Sequence, residues 1–96
     1  MNGDGATILR RTLTIRNRRG LHARAAAKFV TLAERYGASV DVLKDGQSVS
    51  ARSIMGLMML GAGIGSTIEL QAEGWDAKEA MDALAALVEA GFNEQD

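Results

Sequence analysis

From residue 8 to 16 apolar and polar positions alternate, with Leu9, Leu13 and Ile15 set against Arg10, Thr12, Thr14 and Arg16. A period of two predicts a β-strand with one face in the core and one in water. The segment 17–20 breaks the pattern as a turn. Between Ala23 and Tyr36 the period lengthens: Ala26, Phe29, Ala33 and Tyr36 recur at three and four, which makes one face of a helix, and Gly37 follows as a stop. Val40 and Val42 belong to a second strand. The sequence "KDGQ" (44–47) predicts a hairpin into a third strand over about 48–51, because Asp-Gly tolerates the positive φ of a type I′ turn. Ser53 is placed as the N-cap of a short apolar helix ending at Leu60, and 61–65 is a loop. Ile68, Leu70 and Ala72 alternate with Glu69, Gln71 and Glu73 as a fourth strand. Asp76 with Glu79 three residues later predicts a capping box ahead of a final helix to about Ala90, its buried stripe formed by Met81, Leu84 and Val88.

The order βαββαβα predicts an α+β domain: a four-stranded, largely antiparallel sheet covered on one face by three helices. Residues 8–92 are expected to form that single domain, after a flexible N-terminus (1–7) and before a C-terminal tail (93–96).

Composition narrows the chemistry. There is no cysteine and one histidine, which excludes a thiolate nucleophile and any Cys- or His-rich metal site; neither a metal nor a cofactor is implied. No apolar run reaches membrane-spanning length, so no membrane insertion is expected. The first residues lack the basic start and apolar stretch of a signal peptide, and the expected location is the cytoplasm. Net charge is −1, but it is divided unevenly. Residues 1–48 carry nine basic and four acidic side chains, net +5, and residues 49–96 carry two and eight, net −6. No acidic residue lies between Gly5 and Ala33, a window that contains the single histidine, His22. Such a basic surface suits an anionic ligand or an acidic partner, although helix-end charge preferences also produce one.

His22 stands just ahead of the first helix. The first amides of a helix lack intrahelical partners and its dipole favours negative charge there, so Gly20, His22 and Ala23 border an anion cradle. The same field disfavours imidazolium and keeps the ring neutral and nucleophilic. Arg24 offers a planar fork of donors to phosphate oxygens, and Gly20 permits a left-handed turn. No acidic neighbour in sequence is available to orient the ring or activate water, though a distant one is free to fold in. That speaks against a Ser-His-Asp hydrolase and for a ring that accepts a phosphoryl group and passes it on. On composition and spacing alone, a solvent-facing helix-capping histidine with no further role stands beside this reading.

The segments "GLHARAAAKFV" (20–30) and "SARSIMGLMMLGAGIGSTIEL" (50–70) closely resemble the histidine-containing phosphocarrier (HPr) family of the phosphotransferase systems, over about residues 8–92. The resemblance implies an open-faced β-sandwich. It implies phosphorylation of His22 on Nδ1 by enzyme I, which draws on phosphoenolpyruvate, and transfer onward to an enzyme IIA. Arg24 matches the phosphate-stabilising arginine of the family. Ser53 matches the serine that an HPr kinase/phosphorylase modifies in some bacterial lineages. The family's proline two residues after the alanine is replaced by Ala25, a good helix former that should preserve the cradle with a more mobile entry. The branch of the system, sugar uptake or nitrogen-related, is left open.

The short helix at 54–60 carries more apolar residues than one buried stripe needs. If Leu57 and Leu60 face the core, Ile54, Met55 and Met58 lie outside, and methionine recurs at surfaces that serve several partners. The resemblance implies that this helix docks enzyme I and enzyme IIA, with the domain acting as a monomer. Two other classes remain: a nucleic-acid-binding domain, prompted by Arg10, Arg11, Arg16, Arg18 and Arg19, and a ferredoxin-like ligand-binding regulatory domain. Against the first, Phe29, Tyr36, Trp75 and Phe92 are the only aromatics and two sit on core stripes, so no nucleic-acid partner is expected.

Overall fold

The periodicities fold as β1 (Leu9–Thr14), α1 (Ala23–Ala33), β2 (Ser39–Lys44), β3 (Gln47–Ser50), α2 (Ile54–Met59), β4 (Thr67–Glu73) and α3 (Ala77–Glu89). The structure is a computed structural model that describes residues 7–94; all of the expected N-terminal segment but Thr7 lies outside the described residues, as do 95 and 96. The sheet order is β1-β4-β2-β3, and every neighbouring pair is antiparallel.

Register explains the open face. Leu13 sits opposite Ile68, and Val42 opposite both Leu70 and Val49, so the branched side chains share the face that the three helices cover. The other face carries Arg10 and Asp41 opposite Gln71 and Thr12 opposite Glu69, and stays in water. Phe29 from α1, Leu57 from α2 and Leu84 and Val88 from α3 close the core at 0–1% exposure. Each such side chain contributes about 1.5–3 kcal/mol by leaving water. At the hairpin, Asp45 and Gly46 have φ of 50° and 83°, the left-handed pair that a type I′ turn requires.

Two expectations are corrected. The first helix closes at Ala33, not Tyr36; the chain leaves it through tight turns in which Arg35 N–H donates to Leu32 O and Tyr36 N–H to Ala33 O. Asp76 is the N-cap residue of α3, but its side chain makes no capping bond. Its carboxylate instead accepts from Gly37 N (2.9 Å) and Ala38 N (2.8 Å), tying the end of the α1 turn to the start of α3. A buried carboxylate needs partners, and two unpaired amides of the neighbouring turn supply them better than the helix's own first turn.

Candidate functional site

The site is built where two loops meet. Gly20 has φ of 64°, and Leu21 N–H donates to Ala62 O at 2.9 Å. A Cβ on Gly20 would lie 2.2 Å from that same oxygen, so any other residue would push the loops apart. This contact holds the turn before α1 against the loop after α2, and so brings together elements far apart in the sequence. His22, Leu21 and Arg19 share one open depression of about 290 Å³ with Met58, Gly61, Ala62 and Gly63.

His22 is the N-cap of α1, with extended backbone (φ −73°, ψ 177°). Its Nδ1 accepts from Arg24 N at 3.3 Å, and Ala26 N–H donates to His22 O at 2.8 Å as the first bond of the helix. Nδ1 therefore carries a lone pair and lies among the first-turn amides of an 11-residue helix, where the dipole favours an anion. Ala25, in place of the family's proline, is fully buried in this first turn.

Sequence reasoning missed the other side of the ring. Nε2 of His22 is bonded to Oε2 of Glu94, 72 positions away. With Nδ1 accepting from an amide, Nε2 is the protonated nitrogen. The second carboxylate oxygen of Glu94 accepts from Asn17 Nδ2 at 3.0 Å, and the same amide donates to Gly20 O at 2.8 Å. The distant acid does fold in. His22 is accordingly no solvent-facing cap, as its side chain is only 15% exposed and that of Glu94 12%.

Glu94 reaches the ring because the chain reverses after α3. Gly91, Phe92 and Asn93 are all left-handed, with φ of 62°, 58° and 59°. For a non-glycine residue that backbone costs about 1–2 kcal/mol. Phe92, fully buried in the core, offsets it, and Lys28 Nζ donates to Phe92 O at 2.7 Å. Glu94, expected as tail, thus borders the site. Gly91 and Phe92 after an apolar helix are the only sequence signals of this return, and neither points to the histidine.

The bond to His22, the bond from Asn17 and the charge of Arg19 hold the Glu94 carboxyl below its ordinary value, against the opposing effect of burial. A depressed folded-state value means that its stabilising contribution is complete above the ordinary 4.5 and is lost as pH falls through the lowered value. Glu94→Gln should flatten the acid side of the stability profile between those two values, read by thermal melts from pH 3 to pH 7. An unchanged acid limb would show that the carboxylate contributes nothing to the fold.

The other predicted site residues divide. Arg24 presents its backbone N–H to Nδ1, but it also lines a separate groove along α1, closed by Leu87 of α3 and by Asn93; Arg19, read in the sequence only as one of a run of arginines, lines the depression with His22. Ser53 caps α2, its Oγ accepting from Gly56 N at 2.9 Å. Leu57 and Leu60 are buried, and Ile54, Met55 and Met58 are exposed, as the spacing predicts. Met59 and Ile64 extend the apolar surface at 74% and 60% exposure; Ile64 was hidden in a stretch that reads only as a glycine loop. Among the described residues no acid or histidine cluster fit for a metal is present, and no helix is long and apolar enough to cross a membrane.

A polar, open-faced antiparallel sheet backed by three helices, with one histidine capping the first and an apolar helix beside it, defines a class of small phosphocarrier domains. Comparison with known proteins makes this specific. Residues 9–90 match the family described as "PTS HPr component phosphorylation site". The chain is 52% identical over 87 residues to phosphocarrier protein HPr of Cupriavidus necator, covering 91% of this chain and 98% of that one. It is 47% identical over 88 residues to phosphocarrier protein NPr of Shewanella violacea, covering 92% and 97%. The fold superposes on a crystal structure of an HPr from Thermoanaerobacter tengcongensis with a TM-score of 0.87, at 45% identity, covering 91% and 98%. An HPr dimer from that organism has also been solved (TM-score 0.73, 46% identity, covering 85% and 94%). The chain belongs to the HPr phosphocarrier family of the phosphotransferase system. That membership sets aside the ferredoxin-like and nucleic-acid-binding readings.

Proposed function

We propose that this chain accepts a phosphoryl group on Nδ1 of His22 from a phosphoenolpyruvate-charged enzyme I and delivers it to an enzyme IIA, as a cytoplasmic monomer. The observation that carries the proposal is the Nδ1 lone pair, set at the N-terminus of α1 and bordering an open depression lined by Arg19 and Met58. A phosphoryl group there meets amides that no helical carbonyl claims. Arg24 is assigned to the transferring phosphoryl group, its guanidinium turning in from the α1 groove when charge arrives. Incubation with enzyme I and phosphoenolpyruvate should add one acid-labile phosphoryl group by intact mass. Arg24→Ala should slow the single-turnover rate more than it weakens docking. A wild type that gains no phosphoryl group rules the function out, and an Arg24→Ala rate equal to wild type removes Arg24 from it.

Docking is assigned to the exposed side of α2, formed by Ile54, Met55 and Met58 at 40%, 71% and 42% exposure. Met58→Glu places a charge in that apolar surface and should weaken binding to enzyme I with little change in melting temperature. Ser53 is proposed as a regulatory phosphorylation site for an HPr kinase/phosphorylase. It lies about 8 Å along the helix from Met58, at a rise of 1.5 Å per residue, so a phosphate there borders the docking surface without touching His22. Ser53→Asp should retain the cap and the fold while weakening enzyme I binding, with partial relief by added salt. Calorimetry measures both variants: unchanged binding constants would reject this face as the docking site.

A further inference from the structure

The Asn17–Glu94 pair has a job that the phosphocarrier reading does not assign. Neutral imidazole has two tautomers, and a nitrogen that carries the proton cannot attack phosphorus. The bond from Arg24 N to Nδ1 is long, at 3.3 Å, and holds the ring weakly. The partner on Nε2 is therefore the group that decides the tautomer. That partner is Glu94, and its own orientation is set by Asn17. Asn17 is 4% exposed and spends both amide hydrogens, one on Gly20 O and one on Glu94, while its buried Oδ1 has no partner among the described residues. An amide that leaves its own oxygen unpaired is oriented for its donors, and the donors point at the turn before His22 and at the carboxylate that holds the ring.

We propose that Glu94, held by Asn17, is the positioning residue of His22: it keeps the proton on Nε2, leaves Nδ1 as the nucleophile, and faces the positive charge that the ring gains on phosphorylation. The proposal rests on the phosphocarrier reading. In the forward step the Nδ1 lone pair forms the bond to phosphorus. The bond from phosphorus to the atom that carries it on the donor breaks, and its electrons return to that atom. The Nε2 proton stays in place, so the phosphorylated ring is cationic opposite the Glu94 carboxylate. In the onward step a nucleophile of the acceptor attacks phosphorus, and the pair of the breaking N–P bond returns to Nδ1. The ring is neutral again with its proton still on Nε2. No proton enters or leaves the ring in either direction, so the site needs no general base, in keeping with the absence of an acid near His22 in sequence.

Because His22 is the only histidine, ring nitrogen-15 spectra contain one residue and need no assignment. Wild type, Glu94→Gln, Glu94→Ala and Asn17→Asp are labelled in histidine and recorded at pH 8, with melting temperatures taken to confirm folding. Wild type should show an unprotonated Nδ1 and a protonated Nε2. Glu94→Gln, whose carbonyl still accepts from Nε2–H, should retain that tautomer. Glu94→Ala should move both resonances toward the tautomer average. Asn17→Asp, which sets a second carboxylate against Glu94, should do the same. Single-turnover phosphorylation by charged enzyme I should slow about tenfold to a hundredfold in Glu94→Ala, and less in Glu94→Gln, which loses only the charge. Wild-type tautomer and a rate within twofold of wild type in Glu94→Ala would overturn the proposal. A wild type that enzyme I does not phosphorylate would instead overturn the carrier function, and with it the catalytic part of the proposal, while the nitrogen spectra decide the positioning of the ring separately.

Discussion

Replacing His22 with alanine is expected to abolish phosphoryl acceptance, because no second imidazole or thiol exists in the chain to take its place. The effect on stability is expected to be small but measurable. His22 caps α1 through Nδ1 and pairs with Glu94 through Nε2, and its side chain is largely covered. Loss of a capping side chain costs about 1 kcal/mol. In a domain of this size that lowers the melting temperature by about 4–8 °C. Intact mass after incubation with charged enzyme I, beside a thermal melt, reads both quantities. Residual phosphorylation in a folded His22→Ala would place the acceptor elsewhere, and an unchanged melt would show the cap to be idle.

Phe92→Ala is expected to have the largest effect on the fold. Phe92 is fully buried although it follows the last helix and sits in left-handed backbone. Its removal costs about 3–5 kcal/mol in transfer and cavity energy, a large share of the ~5–15 kcal/mol that holds a small domain together. The same change removes the side chain that offsets the strain at 92 and 93, so the return of the chain to His22 is lost with it. Melting temperature should fall by well over ten degrees, and the Glu94 bond to the ring should disappear from the histidine nitrogen spectrum. Phe92→Leu, which preserves most of the buried volume, should retain the bond and lose far less stability. Equal melts for Phe92→Ala and wild type would show that the C-terminal turn is not anchored through this side chain.

The elements of this fold are legible because each carries its own period: two in 8–16, three and four in α1, and Asp-Gly between β2 and β3. Each of these depends on neighbours in sequence. So does the exposed side of α2, since one inward position, Leu57, among six helical residues, with Leu60 just after them, leaves Ile54, Met55, Met58 and Met59 outside. The misreadings share a cause. Asp76 has the spacing of a cap, but its carboxylate is claimed by Gly37 and Ala38, a partnership that exists only once α1 and α3 pack. Glu94 has no local pattern at all; it becomes part of the site through the left-handed turn at 91–93 and the burial of Phe92. Arg19 likewise sits in a run of arginines, and only the docking of Gly20 on Ala62 selects it. The histidine itself was legible because its place at the start of a helix is a local fact, whereas the partner that orients its ring is not.

The most direct measurement is a phosphorus-31 and nitrogen-15 spectrum of the wild-type chain charged by enzyme I and phosphoenolpyruvate. One phosphoryl group bonded to Nδ1 of His22, with the proton on Nε2, is the expected result. A phosphoryl group on Nε2, on any other residue, or none at all would contradict it.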